Sequence, residues 1–563
     1  MNIRRLPAAL ATLAAALLTA CAAPPPAAAP APAAPFQVEI LALNDFHGNL
    51  MPPLGGIRIQ DGEHPGRWRS VAAGGAEHLA TAIAALKAKN PNHIVVAAGD
   101  LIGASPLLSA LFHDEPTVRA LNLMGLEVSA VGNHEFDKGT AELLRMQNGG
   151  CHPTQGCNPP QPVFPGAAWH YLAASTIVKA TGKTLFPPYY IKRFQGVPVA
   201  FIGLTLKETP LMVVPSGVAG LEFRDEVGTV NALVPELQRQ GVQAIVLLIH
   251  QGGIPTGDYN ECPGIHGPIV DIAQRLDPAV AVIISGHTHR AYNCRIAGHL
   301  VTSADKYGTL VTEIDLTLDP RTGRIIGDQA TNVIVDDAVY GKDPAQTALL
   351  APYEKLAVVQ ARRVVGPIAG ALARATGPGG ESPLGQVLAD AQLAATRDAG
   401  ARIAFMNPGG IRAAIARPAD GLVRYEDLFA AQPFYNNLVT MTLSGAQLLQ
   451  LLEQQWGGAG GEGEHGRVMM VSRGFSYAWD AQRPAGSHVV PGSARLDGAA
   501  IDPAADYRIT VNAFMASGGD GFSVLRQGRD RRTGMMDVDA LELYVRQHPD
   551  LAPGPLDRIQ RIH

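Results

Sequence analysis

The sequence has no excess of basic residues, and beyond its N-terminus it has no long apolar run. Its 45 lysines and arginines are outnumbered by 50 acidic residues, which gives a formal net charge of -5 over 563 residues. This balance does not favour a surface that coats polymeric nucleic acid, because such surfaces carry basic stripes. The lack of a later run of about 20 apolar residues excludes a membrane-spanning segment after the N-terminus.

Cysteine is also scarce, with 5 in the chain. Apart from Cys21 they are Cys151, Cys157, Cys262 and Cys294, and none lies in a pair spaced by two residues. An even number in an exported chain predicts disulfides, and proximity in sequence favours Cys151 with Cys157 and Cys262 with Cys294. A thiolate zinc site is the weaker alternative.

The N-terminus has the pattern of a secretory signal over residues 1–20. Arg4 and Arg5 precede an alanine-rich apolar run that ends at Leu18 and is too short for a spanning helix. The sequence Leu18-Thr19-Ala20-Cys21 resembles the lipobox of bacterial lipoproteins. That resemblance implies cleavage before Cys21 and a lipid on its thiol. The alternative is a secreted protein with a cysteine that happens to lie near the cleavage site.

Residues 22–35 are all alanine or proline. Such a segment cannot bury a core and favours extended, solvated backbone, so residues 21–35 are predicted to be a tether. We therefore expect an exported protein, periplasmic or anchored in the outer membrane through Cys21.

The length of the chain predicts two domains, because domains of about 100–250 residues are the norm. From residue 36 to 340, apolar β-like runs alternate with helical patterns, which favours an α/β layer fold. A helical linker is predicted for 341–363, with its helix at Pro344 to Ala361, followed by a smaller α+β domain over 364–563. No internal repeat relates the halves.

Several individual elements are also predicted. In the first domain they are helices at 75–89 and 227–240, a strand at 199–204, an edge or outer-face strand at 310–318 and a disulfide-closed loop at 149–165. In the second domain they are helices at 384–395 and 446–454, the latter capped by Ser444, and strands at 403–406, 468–471 and 507–511.

Polar side chains follow five of the β-like runs. In open α/β sheets the carboxyl ends of parallel strands meet in one crevice, so these side chains are expected to converge. Carboxylate, imidazole and amide ligands without thiolate suit Zn, Mn or similar divalent ions. Seven candidates are too many for one tetrahedral site and suit two ions that share a carboxylate: Asp45, His47, Asp100, Asn133, His250, His287 and His289.

Two such ions, about 3.5–4 Å apart, can polarise a phosphoryl group and hold a hydroxide for in-line attack. The pattern therefore predicts phosphate-ester hydrolysis. The structural alternative is a set of hydrogen-bonded histidines and turn-forming acids at strand ends.

The motifs Asp45-Phe46-His47, Gly99-Asp100, Gly132-Asn133-His134-Glu135, His250 and Gly286-His287-Thr288-His289 resemble, in this order, the calcineurin-like metallophosphoesterases. The resemblance implies a four-layer α/β/β/α sandwich. It also implies one metal held by Asp45, His47, Asp100 and His289, and a second held by Asp100, Asn133, His250 and His287.

In this resemblance His134 does not bind metal but forms a catalytic dyad with Asp137. An imidazole that a carboxylate keeps protonated can donate to a phosphoryl oxygen or a leaving group. The alternative for Asp137 is a residue at a helix N-terminus that accepts from backbone amides.

Two glycine-containing stretches stand out in the second domain, at residues 407–412 and 514–522. Arg412 supplies a planar cation for phosphate, Asp520 is placed to accept from a ribose diol, and Phe434 with Phe514 are candidates to stack on a base. Ordinary turns and core packing are the alternatives.

These stretches, with residues 381–385 and 433–436, resemble the C-terminal domain of the 5′-nucleotidases, which implies substrate binding between the domains and a domain rotation. Pro408 and Ser517 depart from the usual pattern, and the insert at 377–380 leaves Arg374 unassigned. The implied substrate residues are Asn407, Gly410, Arg412, Phe434, Phe514 and Asp520.

The expected function is extracytoplasmic hydrolysis of nucleoside 5′-monophosphates by metal-bound hydroxide, assisted by His134 and Asp137. Alternatives are a 2′,3′-cyclic-nucleotide phosphodiesterase or a UDP-sugar diphosphatase. More remote ones are a sulfur-ester hydrolase of the same fold and a non-catalytic nucleotide-binding surface lipoprotein. The expected partners are a nucleotide and, through the lipid, a membrane. The sequence does not indicate the oligomeric state.

Overall fold

The computed structural model describes residues 34–64, 66–160, 163–457 and 467–563. The predicted signal peptide, the lipidation site Cys21 and nearly all of the tether lie outside the described residues. Within the described ranges, no helix combines the length and the apolar character that crossing a bilayer requires.

Over its described residues, the first part of the chain contains seventeen strands and, with the helix that follows them, eight α-helices. The strands are β1 (Phe36–Leu43), β2 (Ile57–Gln60), β3 (Trp68–Val71), β4 (His93–Ala97), β5 (Val128–Ala130), β6 (His170–Leu172), β7 (Thr176–Val178), β8 (Lys183–Thr184), β9 (Tyr189–Phe194), β10 (Val197–Thr205), β11 (Leu221–Phe223), β12 (Ala244–His250), β13 (Val280–Ser285), β14 (Ala291–Ile296), β15 (His299–Ala304), β16 (Leu310–Asp319) and β17 (Arg324–Ile334). The helices are α1 (Ala76–Lys87), α2 (Leu107–Ala110), α3 (Glu115–Met124), α4 (Thr140–Asn148), α5 (Thr209–Met212), α6 (Glu226–Arg239), α7 (Pro268–Arg275) and α8 (Pro344–Ala361).

Two six-stranded sheets form the centre of this part, in the orders β17-β16-β1-β4-β5-β6 and β14-β15-β13-β12-β10-β9. Their facing sides bury one shared apolar cluster, with Ile40 and Val96 from the first sheet and Val246 and Ile284 from the second. Helices α1, α3, α4 and α8 cover the outer side of the first sheet, and α6 and α7 cover the second. The predicted four-layer α/β/β/α sandwich is confirmed.

The strand at 310–318 has a different place from the one predicted. It was expected at an edge or on an outer face, but β16 lies between β17 and β1 and pairs with both. The alternation of polar and apolar residues indicates which face of a strand is exposed to solvent. It does not indicate whether the strand pairs with other strands on both sides. β17 is the edge strand on that side of the sheet, and β6 is the edge strand on the other.

The second part of the chain is an α+β unit. Its strands are β18 (Val364–Pro367), β19 (Ile403–Met406), β20 (Leu422–Arg424), β21 (Asn437–Ser444), β22 (Met470–Val471), β23 (Phe475–Trp479), β24 (Arg495–Leu496), β25 (Ala499–Ala500), β26 (Asp506–Asn512), β27 (Arg529–Met536) and β28 (Ile559–Arg561). Its helices are α9 (Pro383–Ala395), α10 (Tyr425–Ala431), α11 (Gly445–Glu453), α12 (Ala513–Ala516) and α13 (Asp537–Gln547).

A five-stranded sheet, β22-β19-β26-β21-β27, carries the core of this unit. Ser444 caps α11 as predicted: its hydroxyl accepts from the Gln447 N–H, and the Gln447 side chain accepts from the Ser444 N–H. The predicted helix at 344–361 is α8, whose N-terminus is capped by Asp343. Leu107 of α2 shares a buried cluster with Leu384 of α9, so the two parts pack directly together.

Glu39 in β1 is a buried carboxyl with 1 % of its surface exposed, and no donor among the described residues pairs with either oxygen. Burial, followed by the neighbouring Glu313 carboxyl, raises the pKa of Glu39 to about 8. A carboxyl whose pKa is raised in the fold is favoured when neutral. Its stabilising contribution is complete below its unfolded pKa, near 4.5, and is lost as the pH rises through about 8.

Glu39→Gln should therefore raise the free energy of unfolding at pH 8 by about 1–3 kcal/mol relative to wild type, with little difference near pH 4.5. Urea unfolding at both pH values measures this, with the exposed Glu222→Gln as the control. An equal effect in the two variants, or no gain at pH 8, would contradict the assignment.

Candidate metal centre and substrate cavity

The seven predicted ligand residues lie together at one rim of the two sheets. Asp45 and His47 follow β1, Asp100 follows β4, and Asn133 follows β5, three neighbouring parallel strands. His250 ends β12, and His287 and His289 follow β13 in the facing sheet. Because both sheets end at this rim, side chains more than 200 positions apart meet there.

The first group of potential ligands is Asp45, His47 and His289, whose candidate donor atoms all lie within 4.8 Å of one another. The Nε2 atom of His289 is 3.2 Å from Asp45 Oδ1 and 3.1 Å from His47 Nε2. Asp45 and His47 are completely buried. Two imidazoles and a carboxylate aimed at one point form a donor set suited to a divalent cation.

The second group is Asp100, His250 and His287, with the His250 Nε2 atom 2.9 Å from Asp100 Oδ2. The same Asp100 oxygen is 3.6 Å from His47 Nε2 of the first group. Asp100 therefore lies between the groups, where a shared ligand belongs. The Asn133 Oδ1 atom is buried and has no hydrogen-bond partner among the described residues, which leaves it available to a cation.

Backbone carbonyls fix the orientation of two of the imidazoles. His47 Nδ1 is 2.8 Å from the Gly103 oxygen, and His250 Nδ1 is 2.8 Å from the Ala98 oxygen. A carbonyl only accepts, so Nδ1 carries the proton in both rings and Nε2 presents its lone pair when the ring is neutral. In both residues the Nε2 atom faces the ligand groups.

The protonation states also suit a cation. Burial, then the charge of His250, lowers the pKa of His287 to about 3, and burial with Arg412 lowers the pKa of His289. Burial opposes the ionised Asp100, but His250 and His134 outweigh it and hold the Asp100 pKa well below its usual range. Burial likewise opposes the protonated His250, yet Asp100 raises the His250 pKa to about 10. A cation bound between them would displace that proton.

Five of the seven residues adopt a left-handed backbone, which is costly for side chains other than glycine, of order 1–3 kcal/mol each. Such strain clusters at functional sites, where the surrounding structure enforces it. The residues, with their φ angles, are Asp45 (50°), His47 (45°), Asp100 (51°), His287 (71°) and His289 (53°).

His134 and Asp137 form the predicted pair. His134 Nδ1 is 2.9 Å from Asp137 Oδ2, on a turn directly after β5. Burial alone would lower the His134 pKa, but the charges of Asp137 and Asp100 outweigh it and raise that pKa. Asp137 also accepts from the Ala104 N–H and caps no helix, because α4 begins after Gly139. The alternative role for Asp137 at a helix N-terminus is wrong.

A cavity of about 300 Å³ lies between the two parts of the chain. Asn133, His134 and His287 line it on the side of the first part. All six predicted substrate residues line it on the other side: Asn407, Gly410, Arg412, Phe434, Phe514 and Asp520.

Arg412 lines this cavity and supplies a cation to it. Arg412 has a buried guanidinium nitrogen without a hydrogen-bond partner in the described part of the chain, and its Cζ atom is 5.9 Å from the Phe434 ring. Burial, followed by the charge of Arg412, lowers the pKa of Arg374, although the structure leaves Arg374 exposed and Arg412 half-buried. A guanidinium nitrogen without a partner favours an anion. Sequence reasoning left Arg374 unassigned because the glycine-rich insert after it obscures its spacing from the other motifs.

Asp520 is tied to protein groups on both of its oxygens. Asn407 Nδ2 donates to one at 2.7 Å, Arg467 Nη1 donates to the other at 2.8 Å, and Asn512 donates to Asn407 at 2.9 Å. Sequence reasoning missed Arg467 and Asn512. Asn512 could have been found from the sequence, because it lies at the end of a predicted strand, as the metal-ligand candidates do. No feature of the sequence around Arg467 distinguishes that residue.

The two phenylalanines have different surroundings. The Phe434 ring lies over the His134 ring, with centroids 5.8 Å apart and planes at 24°. The Phe514 ring packs so closely on Gly519 that a Cβ there would come within 2.4 Å of it. Stacking of a base between the two rings stays a prediction.

A third group consists of His113, Glu142 and His152, and the first two of these line the cavity. The imidazoles are stacked 4.2 Å apart with planes at 10°, and Glu142 pairs with both Arg145 nitrogens that face it. Lone pairs lie in the ring planes, so two parallel stacked rings cannot direct theirs at one ion. This group is a packing contact.

The structure joins Cys151 to Cys157 and Cys262 to Cys294 by disulfides. The first closes the loop that carries His152, and the second ties the segment after β12 to β14. The thiolate zinc alternative is thereby excluded for these four residues.

Comparison with known proteins identifies both parts of the chain. A family model described as calcineurin-like phosphoesterase matches residues 38–291, and one described as the 5′-nucleotidase C-terminal domain matches residues 364–527. A solved structure titled as a 5′-nucleotidase precursor from Thermus thermophilus has 26 % sequence identity and a TM-score of 0.76, covering 94 % of this chain and 100 % of that one.

Two curated relatives are longer than this chain. Endonuclease YhcR of Bacillus subtilis is 34 % identical over 524 residues, a match that covers 92 % of this chain and 40 % of that protein. Cell wall protein Lmo0130 of Listeria monocytogenes is 30 % identical over 531 residues, covering 88 % of this chain and 65 % of that protein. The chain thus spans less than two thirds of either relative.

Asp137→Asn should lower the pKa of His134 in the metal-free protein, because it removes the nearest opposite charge. Titration of the His134 ring by NMR measures this. The control is Asp61→Asn, which breaks an exposed pair of the same spacing with His64. An unchanged His134 pKa in Asp137→Asn would show that the carboxylate does not control the imidazole.

Proposed function

Because the chain belongs to the calcineurin-like phosphoesterases that carry a 5′-nucleotidase C-terminal domain, we propose that it hydrolyses nucleoside 5′-monophosphates to nucleosides and phosphate. Family membership makes it a metal-dependent phosphoester hydrolase. The preference for mononucleotides goes beyond family membership and is the part of the activity that we propose for this chain.

One observation carries this proposal: the same cavity has candidate cation ligands on one wall and Arg412, beside aromatic side chains, on the other. One guanidinium nitrogen of Arg412 has no partner among the described residues. A volume of about 300 Å³ lies at the lower end of the range for small-molecule pockets. The arrangement suits a small anion joined to a flat apolar group, which describes a nucleotide.

The donor set fits two divalent cations, one at Asp45, His47 and His289 and one at Asn133, His250 and His287, with Asp100 shared. The unpartnered Asn133 oxygen and the Nε2 lone pairs that face the ligand groups support this assignment. When bound, such ions would supply Lewis acidity and an activated nucleophile for displacement at phosphorus.

The remaining roles belong to the chain's own side chains. Arg412 binds and orients the phosphate, since its buried guanidinium nitrogen has no partner among the described residues. His134 donates a proton from Nε2 to the departing nucleoside oxygen, while Asp137 holds Nδ1 and stabilises the imidazolium. Phe434 and Phe514 provide flat surfaces for the base, and Asp520 with Asn407 faces the sugar.

The proposed location is outside the cytoplasm. The signal-like N-terminus, the two disulfides and the cell wall relative support it. A lipid on Cys21 is part of the same proposal.

Asp100→Ala should reduce phosphate release from AMP by at least about 100-fold with Mn²⁺ or Zn²⁺ present, since both candidate sites lose a ligand. A malachite green assay measures the release, and Asp271→Ala on the exposed side of α7 is the control. Equal activity in Asp100→Ala and wild type would refute the proposed centre.

Chromatographic separation of the products formed from UMP, 2′,3′-cyclic AMP, UDP-glucose and single-stranded DNA distinguishes the proposal from its alternatives, because cleavage of the last three leaves each phosphate on an organic product. Faster turnover of the cyclic nucleotide or the nucleotide sugar would replace the mononucleotide as substrate class. Cleavage of DNA at a comparable rate would favour an activity like that named for the Bacillus subtilis relative.

Phe514→Ala should raise KM for AMP and UMP alike by roughly tenfold with kcat less affected, because base stacking contributes about 1–3 kcal/mol and tolerates different bases. Phe514→Tyr keeps the aromatic face and should retain the wild-type KM. If the Ala and Tyr variants have the same KM, the ring does not stack on the base.

A further inference from the structure

Glu135 is a carboxylate beside the candidate metal centre that the proposed reaction does not use. It is 3 % exposed, and it accepts from three backbone N–H donors. Oε2 accepts from Asp100 at 2.9 Å and from Gly132 at 2.7 Å, and Oε1 accepts from Leu101 at 2.8 Å. The hydroxyl of Tyr171 lies 3.5 Å from Oε1.

These donors belong to two different loops. Asp100 and Leu101 follow β4, whereas Gly132 follows β5 and precedes Asn133. The two strands pair at only two positions, the second being Ala97 with Ser129, so the ladder ends before the ligand residues begin. Beyond that point, the Glu135 carboxylate connects the two loops.

A second bond runs in the opposite direction. The His134 N–H donates to Asp100 Oδ1 at 2.8 Å, while the Asp100 N–H donates to Glu135. Each loop therefore supplies a carboxylate that accepts from the other. Of the two, the Asp100 carboxylate also faces the candidate cations, whereas the hydrogen bonds of Glu135 go to backbone donors and Tyr171.

The loops are as close as glycine allows. A Cβ added to Gly132 would come within 2.2 Å of Asp100 Oδ1, and one added to Gly99 would come within 2.6 Å of the Gly132 nitrogen. Because the two loops are in such close contact, the positions of their backbones depend on each other. Loss of the hydrogen bonds between the loops would therefore move Asp100 relative to Asn133.

We propose that Glu135 is a positioning residue that holds the shared ligand Asp100 and the ligand Asn133 at the separation two cations require. The inference rests on the proposed function. Groups that orient metal ligands typically contribute about 10–100-fold to metal affinity or activity. Glu135 differs from the usual case because it acts through the ligands' backbone instead of their side chains.

Glu135→Gln is the informative substitution because its size is nearly unchanged. The amide has one accepting oxygen, and its NH₂ group would face at least one of the three N–H donors. Glu135→Asp keeps the carboxyl group but is one methylene shorter, so it cannot reach both loops at their present separation.

The experiment is calorimetric titration of Mn²⁺ into the metal-free full chain, with circular dichroism as the check on folding. We expect affinity for at least one ion to weaken about 10–100-fold in Glu135→Gln and by a smaller factor in Glu135→Asp. The matched control is Glu226→Gln, another buried carboxylate, which accepts from the Lys207 N–H at 2.8 Å. It should bind Mn²⁺ like wild type.

A second readout separates positioning from general loss of structure. The Mn²⁺ concentration that gives half-maximal phosphate release should rise in the Glu135 variants, while KM for AMP at saturating Mn²⁺ stays at the wild-type value. A rise in KM with an unchanged Mn²⁺ dependence would overturn the inference.

Wild-type Mn²⁺ affinity in both folded Glu135 variants would overturn the inference and leave the proposed function standing. If Glu135→Gln does not fold, Glu135→Asp decides alone. A wild-type protein that binds neither Mn²⁺ nor Zn²⁺ would overturn both proposals. This outcome can be distinguished from the others because the Glu226→Gln control would then bind no metal either.

Discussion

The organisation of this protein depends on the concentration of charge that its fold buries at one rim of two stacked sheets. Asp45 and Asp100 are ionisable groups with almost no access to water, surrounded by four imidazoles. Burying charge without compensation is expensive. The close approach of donor atoms, the proton shared by Asp100 and His250, and the strained backbone all have the same explanation if cations complete the site.

The second part of the molecule contributes the complementary charge. Arg412 lines the cavity with one guanidinium nitrogen unpaired in the described structure, and it is close enough to lower the pKa of His289, a residue of the first part. A phosphate between Arg412 and the candidate cations would relieve repulsion on both sides. Neither part of the chain can provide this alone, which explains why the cavity lies where they meet.

Sequence reasoning succeeded where chemistry and secondary structure coincide. Each predicted ligand ends or follows a strand. Strand ends can be recognised from apolar runs, so the gathering of Asp100, Asn133 and His250 could be predicted. The helix predicted at 344–361 is present at those bounds, with Asp343 as its N-cap. Contacts that depend on how loops fold back were not readable, and Arg467 with Asp520 is an example. The internal position of β16 in its sheet was not predicted, because the alternation of polar and apolar residues does not depend on how many strands pair with it.

The contact between Phe434 and His134 has a consequence for the timing of events at the site. With their centroids 5.8 Å apart, the two rings leave no gap wide enough for a third ring. Any base that stacks on that face of Phe434 must first part it from the imidazole. Uncovering of the proton donor and arrival of the ligand are then a single step, and in the resting arrangement the imidazole is sheltered from bulk water by a side chain of the other domain.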